Sequence, residues 1–562
     1  MKNKLLGKNN LFNYILIIII SIIVCIPLFN SKFDITRDDG IQHICRIMGT
    51  YQTMIAGENF LAIMSNFCNG FGYSWNIFYS PLTSILPLIF KIFTFSFTIC
   101  LKLFMSTTII LSGIFMYKFV DSVTENRKMG LIAAIIYITV PYHLTDMYIR
   151  IAVSELTAFV FLPLVFLGLH NIFNGNIKKS YYLTIGAIGL ILSHSISVYI
   201  TVIFSFIYVL INIKKLKQKC VLKPLFINLT LIILVTSFFW IPMLEHMTST
   251  QYEVFLPDRM ATNQSLNNNK ITVLQLIYTE NGKIVFEIGL LILIGLIMTP
   301  FIIRKVNKQY LYMYFTFFLF GTLCLLLPLK ELSIKLPTML NILQFPWRLI
   351  GFAAFFLSTT TAINLGIILD RFSLKIIWVI ILLSIICLIP AKKQIRYFEN
   401  FNELDYYNGA ILTTNTGRVH AGMATLEYLP IKAFQNKEYI VSRTQNVYII
   451  KGSVNIYNEN KKNSKMSFYI KDSIDKTEIE LPYIYYLGYE VKLITQDSVE
   501  KIDVFESKNG FVAVQLPQVD NAKIEVLYSG TNLTKISYFL SFVGLVLLVC
   551  YIITNNKKHN VD

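Results

Sequence analysis

Two adjacent carboxylates, Asp38 and Asp39, stand in the stretch "ITRDDGIQH", directly after the first apolar segment of the chain. A charge beside lipid is costly unless a protein cavity or water receives it. If a helix starts near Asp39, then Asp39, His43 and Arg46 share one face at i, i+4, i+7 spacing. The ordinary alternative is an N-capping aspartate with solvated neighbours, which leaves the second carboxylate without a task. The chemistry open to such a group is general-base catalysis on a hydroxyl, with the other aspartate supporting it or a divalent metal.

Three further patches carry ionisable groups. In "PYHLTDMYIRIAVSE", His143, Asp146 and Arg150 fall on one helical face, with Glu155 just beyond. "LSHS" places His194 at the end of an apolar segment, and "LQFPWRLIGF" places Arg348 after an aromatic pair. Each has a plain reading as an interfacial residue, an aromatic-belt anchor or a packed side chain. The functional reading is a set of contacts to a phosphate or sugar, for which a guanidinium at the membrane surface is suited.

The elements that position these groups follow from hydropathy. The 562 residues are 54% hydrophobic and 15% charged, which points to a multi-spanning membrane protein. The net charge of +17 lies in short clusters between apolar runs, such as "KKLKQK", which fits loops facing anionic lipid and argues against a nucleic-acid partner. Spans of roughly 20 residues and basic loops kept inside give about twelve spans. They lie near 11–29, 99–120, 130–142, 155–171, 181–194, 196–213, 224–243, 284–303, 310–328, 349–369, 376–390 and 536–554. Both termini are then cytoplasmic, and the four ionisable patches share the outer side. Counting "PLTSILPLIFKIF" as a span would invert every later loop, so it reads as a juxtamembrane or re-entrant helix. Cys45 and Cys68 share the first outer loop, where the compartment permits a disulfide.

The chain therefore reads as an α-helical polytopic membrane protein with an extracytoplasmic β-sandwich-like domain. Residues 1–390 form the membrane domain, with a first outer loop at 30–98. Residues 391–533 form the β-rich domain, since "KMSFYI", "KTEIEL", "YEVKLIT", "FVAVQL" and "KIEVLY" are strand-like runs between turns. Residues 534–562 supply a last span and a cytoplasmic tail.

The acidic pair, "NGFGYSWNIFYSPL", "PYHLTDMYIRIAVSE", "LSHS", "QFPWR", "EYLP", "LPYIYYLGYEV" and "VLYSGT" together resemble bacterial multi-pass proteins of the YfhO-like type. Closest is the group related by name to 6-pyruvoyl-tetrahydropterin synthase. The synthase name carries no chemistry here, because the seven histidines are dispersed without metal-ligand spacing. That family in turn looks like the GT-C class of membrane glycosyltransferases, which use polyprenyl-phosphate sugars and an acidic residue in the first outer loop. The resemblance implies Asp38 or Asp39 as catalytic base, and Arg348, Arg150 and His194 as phosphate or sugar contacts. The further substrate-binding candidates are His43, Arg46, His143, Asp146 and Glu155. A divalent cation (Mg or Mn) is an expected cofactor, with Asp38 and Asp39 as its only candidate ligands. The implied partners are a polyprenyl-phosphate-linked sugar, a cell-envelope glycopolymer or glycolipid acceptor, and membrane lipid. The alternative is a non-enzymatic membrane protein, either a lipid-linked glycan transporter or an envelope assembly factor. Transport is disfavoured, since charged groups sit at span ends rather than mid-membrane.

Overall fold

A computed structural model describes residues 2–35, 37–256, 268–278, 286–336, 338–372, 395 and 426–557. Its principal helices are α1 (Lys2–Cys25), α2 (Gly40–Ile55), α3 (Phe97–Thr124), α4 (Arg127–Thr139), α5 (Pro141–Tyr148) and α6 (Val153–Phe173). They continue with α7 (Tyr181–Ile191), α8 (Ser195–Ile211), α9 (Lys219–Ser249), α10 (Leu290–Ile302), α11 (Lys308–Leu326), α12 (Leu349–Phe372) and α13 (Asn532–Lys557).

Among the described residues, seven helices are long and apolar enough to cross a membrane, and an eighth follows if the bent α4–α5 pair is one span. Helices α7, α8 and α10 form where expected, but at 11, 17 and 13 residues they are shorter than an independent span. The expected span at 376–390 lies outside the described residues, as does the first part of the expected β-rich domain. Residues Leu82–Ile92 form a short apolar helix that is too short to cross, in keeping with the non-spanning reading of "PLTSILPLIFKIF".

Local chemistry sets the helix ends that matter for the site. The Ser96 side chain caps α3 by accepting from the Ile99 amide, and Asn126 caps α4 by accepting from the Lys128 and Met129 amides. Pro141 follows Val140 and cannot continue the α4 hydrogen-bond ladder, so α5 departs at 42°. That bend turns the α5–α6 corner, with Asp146, Arg150 and Glu155, back toward the start of α2.

The β-domain holds two antiparallel sheets. One is ordered β1-β4-β8-β7 and the other β2-β3-β9-β5-β6. Their strands are β1 (Tyr448–Lys451), β2 (Asn455–Lys462), β3 (Lys465–Ser473), β4 (Thr477–Ile484), β5 (Tyr489–Ile494), β6 (Val499–Ile502), β7 (Val504–Glu506), β8 (Phe511–Leu516) and β9 (Val519–Tyr528). The five strand-like runs seen in the sequence are β3, β4, β5, β8 and β9. The other four, β1, β2, β6 and β7, are not among the runs read from the sequence; β2 is an exposed edge strand, "NIYNENKK", whose polar residues show no alternation.

The first loop and the β-domain share one hydrophobic core, in which Phe67, Phe71, Trp75 and Phe78 pack with Phe468, Tyr486 and Phe511. The Ile484 amide donates to the Phe71 carbonyl (2.9 Å), and Glu58 accepts from the Ser464 amide (2.8 Å). Half-buried Lys461 donates to the carbonyls of Gly70 (2.7 Å) and Pro482 (2.8 Å). Cys45 and Cys68 are both buried thiols in this core and are not joined in a disulfide.

Candidate functional site

The "DDG" triplet has a backbone reason for each member. Gly40 opens α2 where a Cβ would lie 1.9 Å from the Ile35 carbonyl oxygen, so no side chain fits. Asp38 adopts φ 45°, a left-handed conformation that Asp tolerates better than most residues. Asp39 occupies the N-cap position of α2, yet its side chain makes no capping hydrogen bond. Its amide instead donates to the Arg150 carbonyl (3.0 Å), which ties the start of α2 to the α5–α6 corner. The capping role that would explain an ordinary aspartate is therefore absent. Asp39 is half-buried and Asp38 exposed. Burial pushes the Asp39 carboxyl above its ordinary range, and the nearby Arg150 and Arg348 guanidiniums oppose that shift.

The corner itself is a buried ionic knot. Arg150 Nη1 donates to Asp146 Oδ1 (2.6 Å) and Glu155 Oε2 (2.9 Å), while the Tyr142 hydroxyl donates to Glu155 Oε1 (2.8 Å). Between Arg150 and Glu155, the buried Ile151 adopts φ 48°. A β-branched residue there is strained by about 1–3 kcal/mol. The surrounding packing holds the turn in place, which fixes where Arg150 and Glu155 point.

Arg348 reaches the knot from the turn before α12. Its Nη1 donates to the Leu343 carbonyl (2.9 Å) and to Gln344 Oε1 (2.7 Å). Its Nε is buried without a hydrogen-bond partner, and the Glu155 carboxylate lies 3.8 Å away, too far to bond. Asp146 Oδ2 is likewise buried and unpaired. His194 precedes α8 with Nδ1 2.8 Å from Ser197 Oγ, within electrostatic reach of Arg348, Glu155, Arg150 and His43.

The structure thus brings together Asp39, Asp146, Arg150, Glu155, His194 and Arg348 from four stretches of the chain. It separates the others by role. Arg46 shares the α2 face but is buried in the first loop, donating to Asn76 Oδ1 (3.2 Å), Thr83 Oγ1 (3.1 Å) and the Tyr79 and Ser80 carbonyls (2.9 and 2.6 Å). Those contacts anchor the loop. His43 is buried edge-on to Tyr79, and burial, followed by Arg46 and His194, lowers it to about 3, so it is neutral at physiological pH. His143 stacks on Phe159 (4.1 Å between ring centroids) and meets Tyr137 edge-on (4.5 Å).

Two participants were missed in the sequence. Tyr142 stands four residues before Asp146, a helical spacing that could have flagged it. Tyr79 lies in electrostatic reach of Asp39, Arg348 and Arg46, a juxtaposition made by tertiary packing alone. Above them, Tyr428 of "EYLP" stacks on Phe78 (5.2 Å, 10° between planes), so the approach to the β-domain closes over the first loop.

Among the described residues, no group of three or more His, Cys, Asp or Glu side chains could hold a metal ion. Two carboxylates hold Mg²⁺ only together with a substrate phosphate, so Asp38 and Asp39 stay the residues that would hold a divalent cation, and no step below passes through one.

In chemical terms, among the described residues the site offers a half-buried carboxylate with no capping hydrogen bond, within electrostatic reach of a buried guanidinium with an unused donor. That pairing can accept a proton from a hydroxyl and hold an anion close by.

Comparison with known proteins agrees with a membrane assignment. The chain is similar to an uncharacterized protein of Lactococcus lactis subsp. cremoris (strain MG1363), 26% identical over 616 aligned residues, covering 97% of this chain and 96% of that one. Among solved structures it is similar to the archaeal oligosaccharyltransferase AglB from Archaeoglobus fulgidus in complex with an inhibitory peptide and a dolichol-phosphate. The TM-score is 0.38 at 12% identity, and the match covers 76% of this chain and 59% of that one. Residues 77–395 match the model of the 6-pyruvoyl-tetrahydropterin synthase related domain, described as a membrane protein, and the chain belongs to that family.

Proposed function

We propose that this protein is an integral membrane glycosyltransferase. It moves a sugar from a polyprenyl-phosphate carrier to a cell-envelope acceptor on the outer face of the membrane. The observation that carries this reading is a carboxylate, Asp39, that makes no capping hydrogen bond and lies within electrostatic reach of Arg348, whose buried Nε has no hydrogen-bond partner among the described residues.

In the proposed reaction an acceptor hydroxyl oxygen forms a bond to the anomeric carbon as the bond from that carbon to the carrier phosphate oxygen breaks. Asp39 takes the hydroxyl proton, and the electron pair of the broken bond leaves with the carrier phosphate. Arg348 Nε and His194 face the developing phosphate charge, and the Asp146–Arg150–Glu155–Tyr142 knot fixes the corner that holds Asp39 through the Arg150 carbonyl.

The test incubates purified protein with a polyprenyl-phosphate sugar and an acceptor glycan, and follows carrier release. Release that depends on Asp39 is expected. No release from any lipid-phosphate sugar, with specific lipid-linked glycan movement instead, would assign the protein to transport.

A further inference from the structure

The outward face of the five-stranded sheet carries a feature that the transfer site does not use. The register sets Tyr457 opposite Tyr469, and Tyr469 opposite Lys523 on β9. The two rings stack with centroids 5.6 Å apart and planes 20° apart. Both tyrosines are 39% exposed, and Tyr457 donates its hydroxyl to Asn521 Oδ1 (3.1 Å), which orients that ring. Tyr presents a rigid amphipathic surface at small entropic cost, which is why such pairs recur at recognition faces.

The charge around them is one-sided. Strand alternation puts Lys462, Lys465, Lys471, Lys492, Lys501 and Lys523 on this face. The two glutamates there, Glu490 and Glu525, pair with Lys501 (3.2 Å) and Lys523 (2.6 Å). Lys462, Lys465, Lys471 and Lys492 keep no acidic partner among the described residues. A flat face with stacked aromatics, amides and unmatched cations complements a ligand that has hydroxylated rings and repeated negative charge. The aromatic pair also lies far along the sheet from the lipid. Asn521 is six residues up β9 from Leu527, where the strand nears α13, and six residues of strand span roughly 20 Å.

We propose that this sheet face binds a polyanionic glycan, with sugar rings against Tyr457 and Tyr469 and carboxylates or phosphodiesters on the lysines. The inference stands whether or not Asp39 catalyses transfer.

Binding is measured on the full chain in nanodiscs of zwitterionic lipid, with an oligogalacturonate and a phosphodiester-linked oligosaccharide as probes. A single-stranded DNA of equal charge and anionic vesicles serve as controls. We expect saturable binding of at least one glycan probe, and the tighter of the two identifies the source of the charge. The Y457A/Y469A pair should weaken it at least tenfold, while Y457F/Y469F, which keeps the rings, should weaken it less than threefold. K471Q/K492Q should weaken it and flatten its salt dependence. Three results would overturn the proposal: no saturable glycan binding, unchanged binding by the alanine pair, or DNA or vesicles bound as tightly as the glycans.

Discussion

Among the described residues are two buried assemblies of arginine and carboxylate, finished to different degrees. In the β-domain, Glu480 Oε1 accepts from the Tyr439 hydroxyl (2.7 Å) and Arg443 Nε (3.2 Å), and Oε2 accepts from Ser507 Oγ (2.6 Å) and Asn509 Nδ2 (3.1 Å). Arg443 spends its other donors on the carbonyls of Thr444, Asn446 and Glu480. Beside the membrane helices, Asp146 Oδ2 and Arg348 Nε are buried and make no hydrogen bond among the described residues, and the Asp39 side chain caps nothing. A buried polar atom left without a hydrogen bond is destabilising. The same chain completes one network and leaves the other open, and the proposed function of the site at Asp39 rests on that contrast.

The sharpest way to break that contrast is to remove one charge from each assembly. Asp39→Asn should lower carrier release by about 10²–10⁴-fold, the usual contribution of a general base. It should leave the thermal unfolding midpoint unchanged or slightly raised, because a half-buried charge without a hydrogen bond is removed. Glu480→Ala should do the reverse. Stranding Arg443 in the β-domain core should cost about 3–5 kcal/mol of stability, read by denaturant unfolding, with release per folded molecule unchanged. If Asp39→Asn lowers stability and leaves release per folded molecule intact, the open network is structural.

Glu155→Gln tests the middle ground, because Glu155 bonds Arg150 and Tyr142 and faces Arg348. We expect release to fall about tenfold and stability to fall by about 1–3 kcal/mol together, since a charge-assisted bond within the corner is weakened. A change in only one of the two readouts would place Glu155 wholly in one assembly's role.

How far these assemblies could be read from the sequence differs in the same way. The helices, the β-domain and the residues Asp39, Arg150, Glu155 and Arg348 follow from hydropathy, span ends and helical spacing. Whether a charge is satisfied does not, because that depends on partners brought together by packing. Asp39 and Arg46 share a helix face by spacing, yet Arg46 is consumed by Asn76, Thr83 and two loop carbonyls. The strained Ile151 is equally invisible, since a β-branched residue gives no sign of a left-handed turn. The docking of the first loop into the β-domain core joins residues several hundred positions apart, as Phe71 and Phe511 show (ring centroids 5.2 Å apart), and no local pattern encodes it.

The smallest expected effect separates the two neighbouring aspartates. Asp38 is exposed, and it raises the proton affinity of Asp39 by like-charge repulsion, a lesser effect than burial. Burial already sets the Asp39 carboxyl above its ordinary value of 3.8. A base must be ionised to act, so a raised value means that activity is lost earlier as pH falls. The acid limb of kcat/KM should therefore lie above the usual aspartate range. Asp38→Asn removes the repulsion, lowers the proton affinity of Asp39 and moves that limb to lower pH. At neutral pH release should change less than about threefold, because an exposed charge contributes little. A loss as large as that of Asp39→Asn would instead make Asp38 the base, and its left-handed backbone would then be the strained position that serves the chemistry.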